Sequence, residues 1–369
     1  MKPSAVPMVG WPLASASDME PQALITGRDD EFRGTITALY REELGRDPDP
    51  EGMAVFLQHA REGMTGEQIR RALHDSPEGV AYRNRPKTPP TPRLHVEGLG
   101  FVTEDGSPWT WAMVTGFRDY ERFLRGEDIT PLLQETRDAG GNGRRVFGAF
   151  DFGSPEAQRL YPREHPDYFA RLPEFFALHA QFGLYVQFVA FADTQRSVPG
   201  GPQQRDHWAA LCDTLRPISN VLLERVNEAD SHENRLDTDL PKPDGITASS
   251  GSNGAGADPP APFWDYADLH SERRGDFALS TTTVHFSING YGTPFPGTHR
   301  ATVVSEPPGF ADTLEPGRRT NDPRIAYLMG LGCRWGAGGT AHSDAGVQSV
   351  LLTPIQRACV EQFLKGVRG

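Results

Sequence analysis

Two glutamates close short apolar runs that read as strands. Val221-Leu222-Leu223-Glu224-Arg225-Val226 runs into Asn227-Glu228, and Ala301-Thr302-Val303-Val304-Ser305 runs into Glu306. Two carboxylates gathered at one rim of a sheet suit the cleavage of an acetal. One, protonated, gives its proton to the leaving oxygen. The other, ionised, attacks the anomeric carbon or stabilises its positive charge. Close approach of the two raises one pKa by like-charge repulsion and supplies the acid form near neutral pH. The chain carries 49 acidic residues, so the pair has meaning only if the fold joins them.

Other reactive side chains have plainer readings. Asp151 and Asp193 follow candidate strands and read as solvated loop acids. His342 and Asp344, with His270 and Asp193, would offer oxygen and nitrogen ligands if folding joined them. No His-Glu-x-x-His or comparable spacing supports a metal site, and neither a metal nor a cofactor is expected. Ser252 sits in Ser250-Gly251-Ser252-Asn253-Gly254, which lacks the Gly-x-Ser-x-Gly pattern of a nucleophile elbow. The stretch from Ser249 to Pro262 reads as a loop on the active face. Trp109 and Trp111 lie two apart and share one face of a strand, where core packing outweighs sugar stacking.

Composition narrows the classes. The 369 residues carry 37 basic and 49 acidic side chains, a net charge of −12, which argues against nucleic acid as a partner. No apolar run approaches the ~18 residues of a membrane span. Cys212, Cys333 and Cys359 are too scattered for a disulfide framework or a zinc signature. Prolines break up the start of the chain, so no secretory signal peptide is expected there. A cytoplasmic location, or delivery by a non-classical or phage route, follows from that reading.

The elements that must position the glutamates come next. Residues 1–25 read as a flexible tail rich in Pro, Ser and Ala. Residues 26–85 read as a small helical domain. Phe32, Ile36, Leu39, Tyr40 and Leu44 recur at helical spacing, Met53, Phe56 and Leu57 mark a second helix, and Ile69 and Leu73 a third. Thr65 with Gln68 fits a capping box. Residues 86–93, with four prolines, read as a stiff linker.

Residues 94–369 are close to the length of a (β/α)8 barrel. Eight candidate strands recur, at Trp109–Phe117, Arg145–Phe150, Leu184–Phe191, Val221–Val226, Ile246–Ser249, Tyr266–His270, Thr302–Ser305 and Leu331–Gly336. Helical patterns fall between several of them, at Ile129–Ala139, Tyr168–Phe182 and His207–Leu215. Alternating strands and helices imply a parallel sheet. Periodicity alone does not separate a closed barrel from an open doubly wound sheet.

The order of several segments resembles the clan A glycoside hydrolases, the cellulase- and mannanase-like barrels. Val102-Thr103-Glu104-Asp105-Gly106-Ser107-Pro108-Trp109 is similar to the hairpin before their first strand. Gly140-Gly141-Asn142-Gly143-Arg144-Arg145 is similar to their strand-two Gly-x-Asn-x-x-Arg. Asn227-Glu228 resembles the pair ending strand four, and Glu306 the residue ending strand seven. His270 falls where a strand-six histidine is common.

The resemblance implies a (β/α)8 barrel preceded by the helical domain. It implies a retaining hydrolase acting on a β-linked oligo- or polysaccharide. By that resemblance Glu228 is the acid/base and Glu306 the nucleophile. Arg145 binds the nucleophile, Asn227 binds a sugar hydroxyl, and His270 and Trp335 bind substrate. Two positions depart from it: Glu272 stands where a tyrosine is usual, and Trp335 precedes an unusual Gly-rich stretch. The helical module resembles a small domain of unknown function appended to bacterial surface proteins, carried by Leu39-Tyr40-Arg41-Glu42-Glu43-Leu44-Gly45-Arg46-Asp47-Pro48-Asp49, and reads as a spacer or as a bundle that docks a protein partner. The alternative is a non-catalytic glycan-binding or structural protein, of a surface assembly or phage particle, on the same barrel.

Overall fold

The computed structural model describes residues 25–44, 46–83, 91–153, 158–229, 231–252, 264–270, 279–280, 283–284, 301–307, 309–314, 319–334 and 336–369. They fall into two units, one within Met1–Arg85 and one within Pro86–Gly369.

The first unit is helical: α1 (Ile25–Leu44), α2 (Pro50–Arg61), α3 (Gly66–His74) and α4 (Pro77–Arg83). Ile36, Leu39, Tyr40 and Leu44 of α1 pack on Leu57, Ala60, Ile69 and Leu73. Asp49 caps α2 by accepting from the Gly52 amide at 2.7 Å. The Thr65–Gln68 capping box forms as its spacing predicts, with the Thr65 amide donating to Gln68 Oε1 at 2.8 Å. The short α4 adds to the three expected helices. Ser76 Oγ accepts from the Gly79 amide, and Pro77 takes the first helical position, where its missing N–H costs nothing.

The second unit is an eight-stranded parallel sheet rolled into a nearly closed barrel. Its strands are β1 (Trp111–Thr115), β2 (Gly143–Phe147), β3 (Tyr185–Phe191), β4 (Val221–Val226), β5 (Ala248–Ser249), β6 (Ala267–His270), β7 (Thr302–Glu306) and β8 (Gly338–Ala341). Each strand except β6 pairs with its predecessor in the chain, and β8 returns to β1. The ladder is interrupted only between β5 and β6. There the Asp265 amide donates to the Ala248 carbonyl and Asp265 Oδ2 accepts from the Ala248 amide, so one residue bridges the seam. A barrel leaves no exposed strand edge and brings all eight C-terminal ends to one rim.

Outside the sheet lie α5 (Thr130–Asp138), α6 (Tyr168–Gln181), α7 (Gly201–Leu215), α8 (Pro323–Cys333) and α9 (Pro354–Arg368). The helix α7 starts six residues before the expected His207, because its first turns are polar and carry no apolar period. Between β4 and β5 the described residues form no α-helix, only a 3-10 turn at His232–Asn234. The N-terminal mouth of the barrel is closed by a small antiparallel sheet, Leu94–Glu97, Gly100–Thr103 and Pro108–Trp109, built around the expected Asp-Gly hairpin. Its Leu94 and Phe101 pack on Trp111, Tyr185, Leu222 and Tyr266. Trp109 and Trp111 therefore serve as core, at the end of the barrel away from the two glutamates.

Two expectations need correction or adjustment. Strand eight is Gly338–Ala341, not Leu331–Gly336. The latter stretch begins as the end of α8, whose Ala326, Met329, Gly330 and Cys333 are buried at helical spacing. Glycine-rich β8 has little strand propensity of its own; close packing selects it, since a Cβ on Gly338 would sit 2.0 Å from the Trp111 carbonyl oxygen. The last residues of the expected linker, Thr91 to Arg93, are bound to the barrel unit. Arg93 donates to the Gly245 and Arg216 carbonyls and Tyr185 to that of Pro92, while residues 86–90 lie outside the described residues.

Two core histidines should weaken the fold in acid. Burial holds His207 down to about 4, and it holds His179 to about 4 against the nearby Asp119 charge, which pulls the other way. Unfolded histidines take up protons near pH 6.5, so the unfolded chain binds more protons than the native one as pH falls from there. Stability is complete above about pH 6.5 and drains towards pH 4, by roughly 3 kcal/mol for each histidine. Urea midpoints at pH 7 and pH 4.5 measure this. H179L and H207L should each flatten the loss, and an unchanged slope in both would refute the assignment.

Candidate active site

Side-chain alternation along the strands builds the site in layers. Tyr185, Leu222, Tyr266 and Val303 fill the lower barrel. Two residues further along three of these strands, the interior turns polar, with Gln187 on β3, Glu224 on β4 and Asp268 on β6; Arg145 of β2 joins them. All four are fully buried. Above them, at the C-terminal rim, stand Asn227, Glu228, His270 and Glu306.

Arg145 joins the layers. Its Nε and Nη2 donate to the two oxygens of Glu224, each at 3.0 Å. Its Nη1 donates to Glu306 Oε1 at 2.6 Å, and Nη2 also reaches Asn227 Oδ1 at 2.9 Å. Burial opposes the guanidinium charge, but Glu224, Glu306 and Asp268 outweigh it and hold Arg145 protonated. The planar fork suits this task, since one cation fixes two carboxylates and an amide in set directions. Gln187 Nε2 donates to Glu224 Oε2 at 2.9 Å and also to Asp268, and so ties the layer across the barrel.

A bulge aims Glu306. Along β6 and β7, Leu269 pairs with Val304 but His270 pairs with Glu306, so one residue of β7 is skipped. Val303 faces the interior and Val304 the outer helices. Strict alternation would turn Glu306 outward; the bulge turns it inward, as bulges beside functional sites do.

His270 stands between the two glutamates. Its Nδ1 lies 3.2 Å from Glu228 Oε1 and its Nε2 3.6 Å from Glu306 Oε1. Burial disfavours the imidazolium, yet Glu306 and the hydrogen bond to Glu228 more than compensate, and its pKa rises above the usual histidine value. One ligand-type atom from each of Glu228, His270 and Glu306 lies within 4.8 Å of the others. Such a trio has the spacing to hold a cation, but Glu306 already takes a guanidinium at 2.6 Å, which repels a metal at that spot.

Five of the six site residues expected from sequence fall within the described residues, and the fold brings Arg145, Asn227, Glu228, His270 and Glu306 into one connected cluster. Trp335 lies outside the described residues, as does Glu272. The C-terminal end of β8 instead presents His342, whose Nδ1 lies 3.2 Å from Thr115 Oγ1 and whose ring lies 5.6 Å from that of Phe117. Asp151 and Asp193 are not free loop acids. Asp193 Oδ2 accepts from the Asp151 amide at 3.0 Å, and burial pushes its pKa up to about 6.

Sequence reading missed Glu224, Gln187 and Asp268. The available signal was polarity at alternate positions inside apolar strands, which marks inward polar residues in a barrel. Asn142, part of the strand-two motif, proves to be a brace: it accepts from the Ala112 amide at 3.1 Å and donates to the Thr110 carbonyl at 2.8 Å.

No family model matches the chain, and neither does any curated protein. Solved structures do. The β-glucanase SdGluc5_26A from Saccharophagus degradans, in its native form and in complex with cellotetraose, matches with a TM-score of 0.54 at 11% identity, over 78% of this chain and 96% of that one. A glycoside hydrolase family 5 protein from Bacteroides vulgatus matches with a TM-score of 0.48 at 15% identity, over 69% of this chain and 63% of that one, so this chain spans less than two thirds of its length. The barrel unit shares the (β/α)8 fold of that β-glucanase, and a helical unit precedes it in the chain. Among the described residues no helix is long and apolar enough to cross a membrane.

Proposed function

We propose that the protein is a retaining glycoside hydrolase that cleaves a β-linked oligo- or polysaccharide, with Glu306 as nucleophile and Glu228 as acid/base. The observation that carries this reading is the approach of the two carboxylates, with one oxygen of each within 4.8 Å of the other, at the rim of a barrel whose Arg145 fixes Glu306. That close approach supports the short carboxyl separation, about 5–5.5 Å, of retaining enzymes. The β-linkage is drawn from the fold-mate described as a β-glucanase.

In the first step the Glu306 carboxylate attacks the anomeric carbon while Glu228 gives its proton to the glycosidic oxygen. The carbon–oxygen bond breaks and the alcohol leaves. In the second, Glu228 takes a proton from water, the hydroxide so formed attacks the same carbon, and the ester to Glu306 is released. Arg145 orients Glu306, and in this reading Asn227, itself held by Arg145, binds the sugar hydroxyl next to the reacting carbon.

Proton NMR of the initial products from β-1,4-glucan and β-1,4-mannan oligosaccharides tests this. The β-anomer should appear first and mutarotate later. An α-anomer as first product would overturn retention. Binding of these sugars without cleavage would favour the non-catalytic reading.

A further inference from the structure

Glu228 is one of three non-glycine residues with positive φ among the described residues, at 43°; the others are Asp193 at 47° and Ser349 at 51°. Side chains rarely adopt that conformation, and it persists where surrounding contacts impose it. Asp193 and Glu228 occupy equivalent places, two residues beyond the ends of β3 and β4. Each has its backbone N–H taken by a side-chain oxygen from the loop after the following strand. The Asp193 amide donates to Asn234 Oδ1 at 2.6 Å, and the Glu228 amide to Ser252 Oγ at 2.8 Å.

We propose that Ser252 is a positioning residue that clamps Glu228 in its left-handed conformation, and thereby points the acid/base carboxylate at His270 and the cleavage site. This rests on the glycosidase reading above.

The clamp has several contacts. Ser252 is fully buried, its amide donates to the Val226 carbonyl at 3.1 Å, and its carbonyl accepts from the Ala229 amide at 2.8 Å. Its hydroxyl also lies 3.5 Å from Asn227 Oδ1, the atom that takes Arg145 Nη2. One hydroxyl thus contacts both residues of the Asn-Glu pair, and through Arg145 the chain of contacts reaches Glu306. The preceding Gly251 has φ 139°, and a Cβ there would lie 2.7 Å from the Val226 carbonyl oxygen, so only glycine lets this turn close on the end of β4.

The test compares wild type, S252A and S252T on two β-cellobiosides. One carries a dinitrophenolate leaving group, which departs unprotonated; the other carries an alkyl alcohol, which needs the acid. Because kcat/KM reports the bond-breaking step, S252A should lower it at least about 10-fold for the alkyl glycoside and leave the dinitrophenyl glycoside within about 3-fold, with S252T restoring most of the loss. Equal losses on both substrates, or no loss on either, overturn the proposal. If wild type cleaves neither substrate, a β-glucoside as the substrate of this site is what fails. Crystal structures of wild type and S252A then decide the clamp separately. Glu228 should leave the left-handed region in S252A, with its carboxylate moving away from His270, and an unchanged Glu228 overturns it.

Discussion

E306Q should reduce kcat by at least about 10⁴-fold on every glycoside the wild type cleaves, because in the proposed mechanism no other group attacks the anomeric carbon. The amide keeps nearly the same shape and still offers an oxygen to Arg145 Nη1, so folding should survive. Glu224 remains as the bidentate counter-ion of the guanidinium. The partner variant E228Q should fail differently. Its kcat/KM should fall steeply for alcohol leaving groups and little for dinitrophenolate, since the lost function is proton donation.

Azide separates the two roles chemically. In Glu306→Gly it should attack the substrate directly and give a glycosyl azide of inverted configuration. In Glu228→Ala it should attack the intermediate and give the retained product. The stereochemistry of the azide products by NMR checks the assignment. Inverted azide from Glu228→Ala, or wild-type turnover in E306Q, would exchange or abolish the proposed roles.

R145A should lose both activity and stability. Arg145 is fully buried and is the cation against which Glu224 and Glu306 are held. Its removal leaves two buried carboxylates facing each other, and breaking a buried pair by deleting one partner costs about 3–5 kcal/mol. R145K keeps the charge but not the fork. It should recover much of the stability, yet leave kcat about 10²-fold low, because one ammonium cannot hold Glu224, Asn227 and Glu306 together in set directions. Urea midpoints and kcat/KM for the two variants are the measurements. Adding Glu224→Gln to R145A should return part of the lost stability by removing one stranded charge. A destabilised double mutant with no such gain would mean that the arginine acts mainly by filling space.

The same arginine explains why the site was partly legible in the sequence. Asn227-Glu228, Glu306, Arg145 and His270 each close or sit within an apolar strand pattern, and strand ends in a barrel share one rim. Glu224 stood four residues before Glu228 in the same run and gave no signal beyond its polarity. Its role exists only because β2 and β4 flank β3 in the closed sheet and turn Arg145 and Glu224 into the same barrel interior. The periodic buried faces of α5, α6 and the second half of α7 showed through, but the polar first turns of α7 hid its start, and α9 went unread although it buries Cys359, Val360, Phe363, Leu364 and Val367 on one face. Strand eight was displaced because apolar residues of α8 mimicked a strand, while the true strand is rich in glycine.

The sequence by itself determined the alternation of strands and helices, the helical module with its capping box, and the residue types able to cleave an acetal. Those properties are local, since side-chain periodicity and turn chemistry act within a few residues. Only the tertiary structure decided that Glu306 faces inward, that Glu228 is held left-handed by Ser252, and that His270 stands between them. Each depends on contacts between segments far apart in the chain: a skipped residue between β6 and β7, a loop from the end of β5, and a guanidinium reaching across from β2. A one-residue slip in any of these would turn a side chain to the other face, and no local pattern records which register the barrel takes.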